Sequence, residues 1–201
     1  AAEEIVSASG TSIPANGLIE IVSLNEDGTA TIKTDLPYGR YYVQEIATDS
    51  HYKLSDAKYP IIFEYVGQDT AVVKIAVNDG KAIKNDLIYG SVSGKKVDED
   101  GNALGGAMIG LFRTDDGEFT KENALMTTTS AEDGSFSFEN IPCGTWYVRE
   151  IEQPTGFVLD DTIYPVTIGT DGQVVEIEIV NEYGRGNIHL TKVDSEYPDN
   201  K

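Results

Sequence analysis

The chain has 201 residues, with 34 Asp plus Glu against 15 Lys plus Arg and a formal net charge of −19 at pH 7. A surface of that sign repels nucleic-acid backbones and anionic lipid headgroups, and no apolar run reaches membrane-spanning length, so nucleic-acid binding and membrane insertion are set aside. The length allows one large domain or two of roughly 90–100 residues, and a single cysteine, Cys143, leaves no internal disulfide to hold either one.

The start, Ala1-Ala2-Glu3-Glu4, lacks the charged and apolar regions of a signal peptide. Beyond it, short runs of Val, Ile, Tyr, Phe and Thr alternate with Asp-Gly pairs at Asp27-Gly28, Asp79-Gly80, Asp100-Gly101, Asp116-Gly117, Asp133-Gly134 and Asp171-Gly172. Asp-Gly suits the positive backbone angles of tight hairpins, which predicts strands between the pairs. In chain order these strands include 36–46, a strand opened by Tyr59-Pro60, 72–77, 90–98, 141–151, a strand opened by Tyr164-Pro165, and one ending at Asn181. Residues 118–126 are the one candidate for a helical turn, so the class is an all-β sandwich.

The segments repeat. Asn85-Asp86 through Lys96-Val97-Asp98 aligns without a gap on Asn181-Glu182 through Lys192-Val193-Asp194. Leu36-Pro37-Tyr38-Gly39 likewise matches Ile141-Pro142-Cys143-Gly144, with the following strands in step to Glu45-Ile46 and Glu150-Ile151. Tandem sandwiches follow, with limits at 1–89, 90–184 and 185–201. The first sandwich begins after the segment corresponding to 90–111, and the tail supplies the opening strand of a further repeat.

Strand alternation sorts the faces. Lys96 shares a face with Val92 and Gly94, and Lys192 with Ile188 and Leu190. Glu150 lies with Trp146 and Val148, and Glu45 with Tyr41 and Val43. Asn181 lies with Ile177 and Ile179, and Asn85 with Ile83. Asn78 also follows an apolar run, but it shares a face with Lys74 and Ala76, so Asn85 is the preferred inward asparagine of the first domain. Burial disfavours both charges, lowering the lysine pKa and raising that of the glutamate until both are neutral together. A neutral Lys96 is then a nucleophile toward the Asn181 side-chain carbonyl, with Glu150 as proton shuttle and ammonia as the leaving group. The duller alternative is a solvated strand lysine paired with a glutamate.

These residues carry a resemblance to the Cna protein B-type (SpaA-like, prealbumin-like) domains of Gram-positive pilins and adhesins. It rests on the opening strand 90–98, then Gly101, Leu104, Gly105, Ala107, Leu111-Phe112, Asp133-Gly134, Ile141-Pro142, Gly144, Tyr147, Glu150, Pro154, Gly156-Phe157 and Asn181. The resemblance implies a seven-stranded sandwich with a Lys–Asn isopeptide bond between first and last strands, assisted by glutamate: Lys96, Asn181 and Glu150. It also implies an extracellular, cell-wall-anchored setting and neighbouring repeats of the parent protein as partners. The first domain keeps Glu45 and Asn85 without a lysine strand of its own, which leaves Lys192 of the tail as a spare partner and head-to-tail self-association through 186–201 as an option.

No cofactor or metal is expected. Cys143 sits in a Pro-x-Gly turn, His51 and His189 lie outside any metal-ligand spacing, and Asp98-Glu99-Asp100-Gly101 and Asp160-Asp161 lack a full set of calcium oxygens. Tyr38, Tyr41 and Tyr42 are read as packing residues. The functional expectation is a structural stalk or pilin module that turns over no substrate; the alternative is an adhesin module presenting a face to a host protein or polysaccharide.

Overall fold

The computed structural model describes residues 1–6, 10, 12–67, 69, 73–192 and 196. Contacts divide the chain into two units, Ala1–Asp86 and Leu87–Lys201. The division falls ahead of the Tyr89 limit drawn from the repeat because Ile88 already packs on the second unit's core and its carbonyl accepts from Cys143 N.

The first unit holds β1 (Ile5–Val6), β2 (Ser12–Ile13), β3 (Gly39–Gln44) and β4 (Lys58–Phe63). β1 pairs with β2, and β3 pairs antiparallel with β4. Ala1, Ile5, Tyr41 and Ile61 form a small buried core. The strand expected at 72–77 is absent over 73–76, and Val77–Gly80 is a tight turn with Asn78 and Asp79 at positive φ; Val72 lies outside the described residues.

The second unit holds β5 (Tyr89–Asp98), β6 (Met108–Phe112), β7 (Met126–Thr129), β8 (Ser135–Pro142), β9 (Gly144–Glu152), β10 (Tyr164–Ile168) and β11 (Val174–Asn181). They form a three-stranded sheet, β11-β5-β8, and a four-stranded sheet, β10-β9-β6-β7. Apolar residues at alternate positions fill the space between the sheets, among them Val92, Ile109, Phe138, Trp146, Val148 and Ile179. β11 runs parallel to β5, with Ile179 opposite Lys96 and Asn181 opposite Asp98. All six Asp-Gly glycines have φ between 72 and 98. The helical turn considered at 118–126 amounts to one turn, in which Asn123 and Ala124 N donate to Thr120 O.

The two units share local geometry. Tyr59 faces Val43 as Tyr164 faces Val148. Tyr41 Oη donates to Pro37 O at 2.5 Å, and Trp146 Nε1 donates to Pro142 O at 2.8 Å. The tail, expected to open a further repeat, carries no strand over 186–192. A strand exists only when its N–H and C=O groups find a neighbour, and among the described residues this segment pairs with none; Val193 and Asp194 lie outside the described residues. Among the described residues no helix is long and apolar enough to cross a membrane.

Candidate functional site

β5 is the middle strand of its sheet, so its inward residues are covered from both sides, and Lys96 is fully buried. Its backbone N donates to Gly134 O at 2.7 Å. Gly134 has φ +78, and a Cβ there would stand 2.3 Å from Lys96 O, so the Asp133-Gly134 turn is what lets the chain close against this lysine. Glu150 projects from β9 of the opposite sheet, 1 % exposed, and Asn181 from the end of β11, fully buried. Three strands from two sheets thus deliver an amine, a carboxyl and a carboxamide to one point in the core.

Lys96 Nζ donates to Ile179 O at 3.1 Å and lies 3.9 Å from Glu150 Oε1. Asn181 Nδ2 donates to Glu150 Oε2 at 2.7 Å and to Val158 O at 2.5 Å. Asp160 N also donates to Glu150 Oε2, at 2.8 Å. One carboxyl therefore faces the amine with one oxygen and the amide with the other. Glu150 Oε1 and Asn181 Oδ1 are buried without a hydrogen-bond partner. Burial lowers the Lys96 pKa against the pull of Glu150 and Asp160, and burial raises that of Glu150 against the hydrogen bonds from Asp160 and Asn181. Both shifts favour the neutral forms. Burial pushes Asp160 up as well, but hydrogen bonds involving Thr162 and Tyr164 outweigh it and hold that carboxyl low.

The first unit repeats part of this arrangement. Asn85 Nδ2 donates to Glu45 Oε1 at 2.7 Å and to Thr48 Oγ1 at 2.8 Å, while Ser55 N donates to Glu45 Oε2 at 3.1 Å. Ser55 takes the place of Asp160. Lys53 N donates to Asp86 O as Val158 N donates to Glu182 O. The groups acting on Glu45 are Asn85, Ser55 and Thr48, with no lysine among them, and the Asn85 hydrogen bond lowers its pKa despite partial burial. Asn78 is half-buried and its Nδ2 donates to Lys81 O, away from Glu45's partners. Lys192 is exposed on the tail and is not among the groups acting on Glu150.

Alternation in the sequence does not point to the backbone groups of Val158 and Asp160, which complete the pocket around Glu150 and Asn181. Their signal is indirect: the Pro154-x-Gly156-Phe157 turn just before them, held by the Phe157–Tyr183 bridge. A second clasp lies at the same end, where Tyr183 Oη donates to Asp98 Oδ2 at 2.8 Å and Arg185 pairs with Glu99. Cys143 lies in a turn at the start of β9. His51 bonds Asp49 on the surface, and no group of three or more His, Cys, Asp or Glu among the described residues is placed to hold a metal ion.

The second unit is thus a two-sheet sandwich with its last strand parallel to its first and with Lys96, Glu150 and Asn181 enclosed between the sheets. The chain belongs to the SpaA prealbumin-like fold domain family, whose model matches residues 4–81 and 90–183. Its fold is similar to that of the Bacillus anthracis TIE protein, at 22% identity and TM-score 0.62 over 81% of this chain and 28% of that one. Other similar structures are a streptococcal ancillary pilin (27% identity, TM-score 0.40, 75% of this chain and 43% of that one) and the minor pilin GBS52 of Streptococcus agalactiae (19%, 0.43, 85% and 71%). No curated protein matches the chain. The chain thus spans about a quarter of the length of the TIE protein.

Proposed function

We propose that the chain is a structural stalk or pilin module of a Gram-positive cell-surface protein, built of tandem sandwiches, and that the second closes itself with an amide between Lys96 and Asn181. The observation that carries this reading is the burial of Lys96, Glu150 and Asn181 around one shared carboxyl. The neutral Lys96 Nζ attacks Asn181 Cγ, forming the new C–N bond. Glu150 takes a proton from Nζ and gives one to Nδ2; the Cγ–Nδ2 bond breaks, ammonia leaves, and the carboxyl is regenerated. The residues are consumed, so the event occurs once per molecule and is not turnover.

Intact mass tests it. The expected deficit is about 17 Da, one ammonia, abolished in both Lys96→Ala and Glu150→Ala; a full mass in the unsubstituted chain overturns the cross-link. The adhesin alternative would use the open cleft of about 490 Å³ lined by residues such as Arg113, Asp116, Phe119 and Leu125. It ranks second because that cleft is a loop surface, whereas the buried triad concentrates reactive groups at one point.

A further inference from the structure

Asp160, between β9 and β10, carries a carboxylate that none of the proton transfers at the triad uses. Its backbone N donates to Glu150 Oε2 at 2.8 Å. Its half-buried side chain is held separately: Oδ1 accepts from Thr162 N at 3.0 Å and Oδ2 from Tyr164 Oη at 2.8 Å. The bond from Thr162 closes a small turn that does not demand a carboxylate, because the first unit makes a like turn with serine: Ser55 N donates to Glu45 Oε2, and Ala57 N donates to Ser55 Oγ at 3.2 Å. What aspartate adds at this position is a charge. Burial works against that charge, but the hydrogen bonds from Thr162 and Tyr164 keep it ionised, and it acts on both Lys96 and Glu150.

We propose that Asp160 is a positioning residue for the Lys96–Asn181 reaction: its N–H aims the Glu150 carboxyl, and its side chain is a fixed negative charge for the positive charge that grows on Nζ as the amine attacks. This role rests on the amide proposed above for the second unit. When the Nζ–Cγ bond forms, Nζ turns cationic and the Asn181 carbonyl oxygen takes up the electron pair; Glu150 then carries the Nζ proton to Nδ2, the Cγ–Nδ2 bond breaks and ammonia leaves. Asp160 gains and loses no proton in these steps. A charge already oriented beside a buried site acts there more strongly than it would in water. The titratable groups of the site are Lys96 from β5, Glu150 from β9, and Asp160 with the Tyr164 phenol from the segment entering β10; β11 contributes the neutral Asn181. Burial is the largest influence on the reacting pair, lowering Lys96 and raising Glu150, and the Asp160 charge then raises each of them. Asp160 therefore keeps the acid form of Glu150 available toward higher pH and opposes the loss of the Lys96 proton.

The test follows ammonia loss by intact mass in full chain freshly made by cell-free translation and moved into buffers from about pH 5 to about 9. The rate should rise as Lys96 loses its proton and fall as Glu150 loses its own, giving a bell. Asp160→Asn keeps the N–H and an acceptor for Thr162 while removing the charge. It should lower the maximum rate about tenfold and carry both limbs of the bell toward lower pH. Asp160→Ser, with the side chain the first unit uses at its turn, should do the same; hydrogen exchange of the β9 and β10 amides identifies the variant that keeps the native fold, and that variant decides. A bell that does not move, or a maximum that does not fall, overturns the role of Asp160 and leaves the amide standing. A full mass in the unsubstituted chain at every pH overturns the amide and this role with it.

Discussion

Glu150 in the second unit and Glu45 in the first each accept from an asparagine Nδ2 at 2.7 Å, yet their acidities move in opposite directions. Burial raises Glu150; the Asn85 hydrogen bond lowers the partly exposed Glu45. The difference is the covering strand. β5 closes the second unit over Glu150 and brings an amine, whereas no β5-like strand lies over Glu45 among the described residues.

Glu150→Gln keeps the size of the side chain but cannot shuttle protons, so it should leave the chain at full mass with an uncrosslinked second unit. By analogy with a disulfide closing most of a domain, the lost stabilisation is about 4–5 kcal/mol. For a domain of this size that lowers the second unit's melting midpoint by roughly 20–30 °C. Calorimetry checks it; an unchanged midpoint would separate the stability of the unit from the cross-link.

The first unit should weaken in acid through Glu45. Its folded pKa lies below its unfolded value, so its contribution is fully present above the unfolded pKa and disappears as pH falls through the folded one. Hydrogen exchange of the β3 and β4 amides across pH 3–7 should show protection falling toward the acid end, and Glu45→Gln should flatten that slope. A slope that survives the substitution would assign the effect to other carboxylates.

Tyr183 reports on the clasp at the end of β11. Its hydrogen bond to Asp98 pushes its phenol up to about 12, and hydrogen bonds from Asn102 and Tyr183 hold Asp98 down to about 2. Asp98→Asn removes the carboxylate, so one tyrosine should titrate nearer the ordinary value in an ultraviolet pH titration. Unchanged tyrosine titration would mean that this bond is not maintained in solution.

Gly94 lies between Val92 and Lys96 on the inward face, where an added Cβ would stand 2.0 Å from the Phe136 ring. Gly94→Ala should cost about 1–3 kcal/mol through overpacking. It should also slow cross-linking, because Phe136 can move only by disturbing the core beside Lys96. Denaturant unfolding gives the first quantity and a time course of ammonia loss gives the second.

The inward faces of β5, β9 and β11 were legible because alternation in a strand depends on the local chain alone: Lys96, Glu150 and Asn181 each share a face with buried apolar neighbours. The Asp-Gly turns were legible for the same reason. Residues 73–76 and 186–192 were not, since strand-like composition does not supply a pairing partner from elsewhere in sequence. The Val158 carbonyl and Asp160 N–H were hidden because backbone groups leave no residue-type signature. Glu45 shows the complementary limit: its position repeats that of Glu150, but its protonation depends on which strand covers it.

The parallel register of β5 and β11 also decides how the second unit meets a pulling force. A pull applied at Tyr89 and Asn181 acts at opposite ends of two side-by-side strands, so it shears their hydrogen bonds together instead of unzipping them one by one. With an amide between Lys96 and Asn181, the force would run along β5 to Lys96, cross the new bond and leave at once. Everything folded between those two residues, including most of the hydrophobic core, would then stand outside the path of the force.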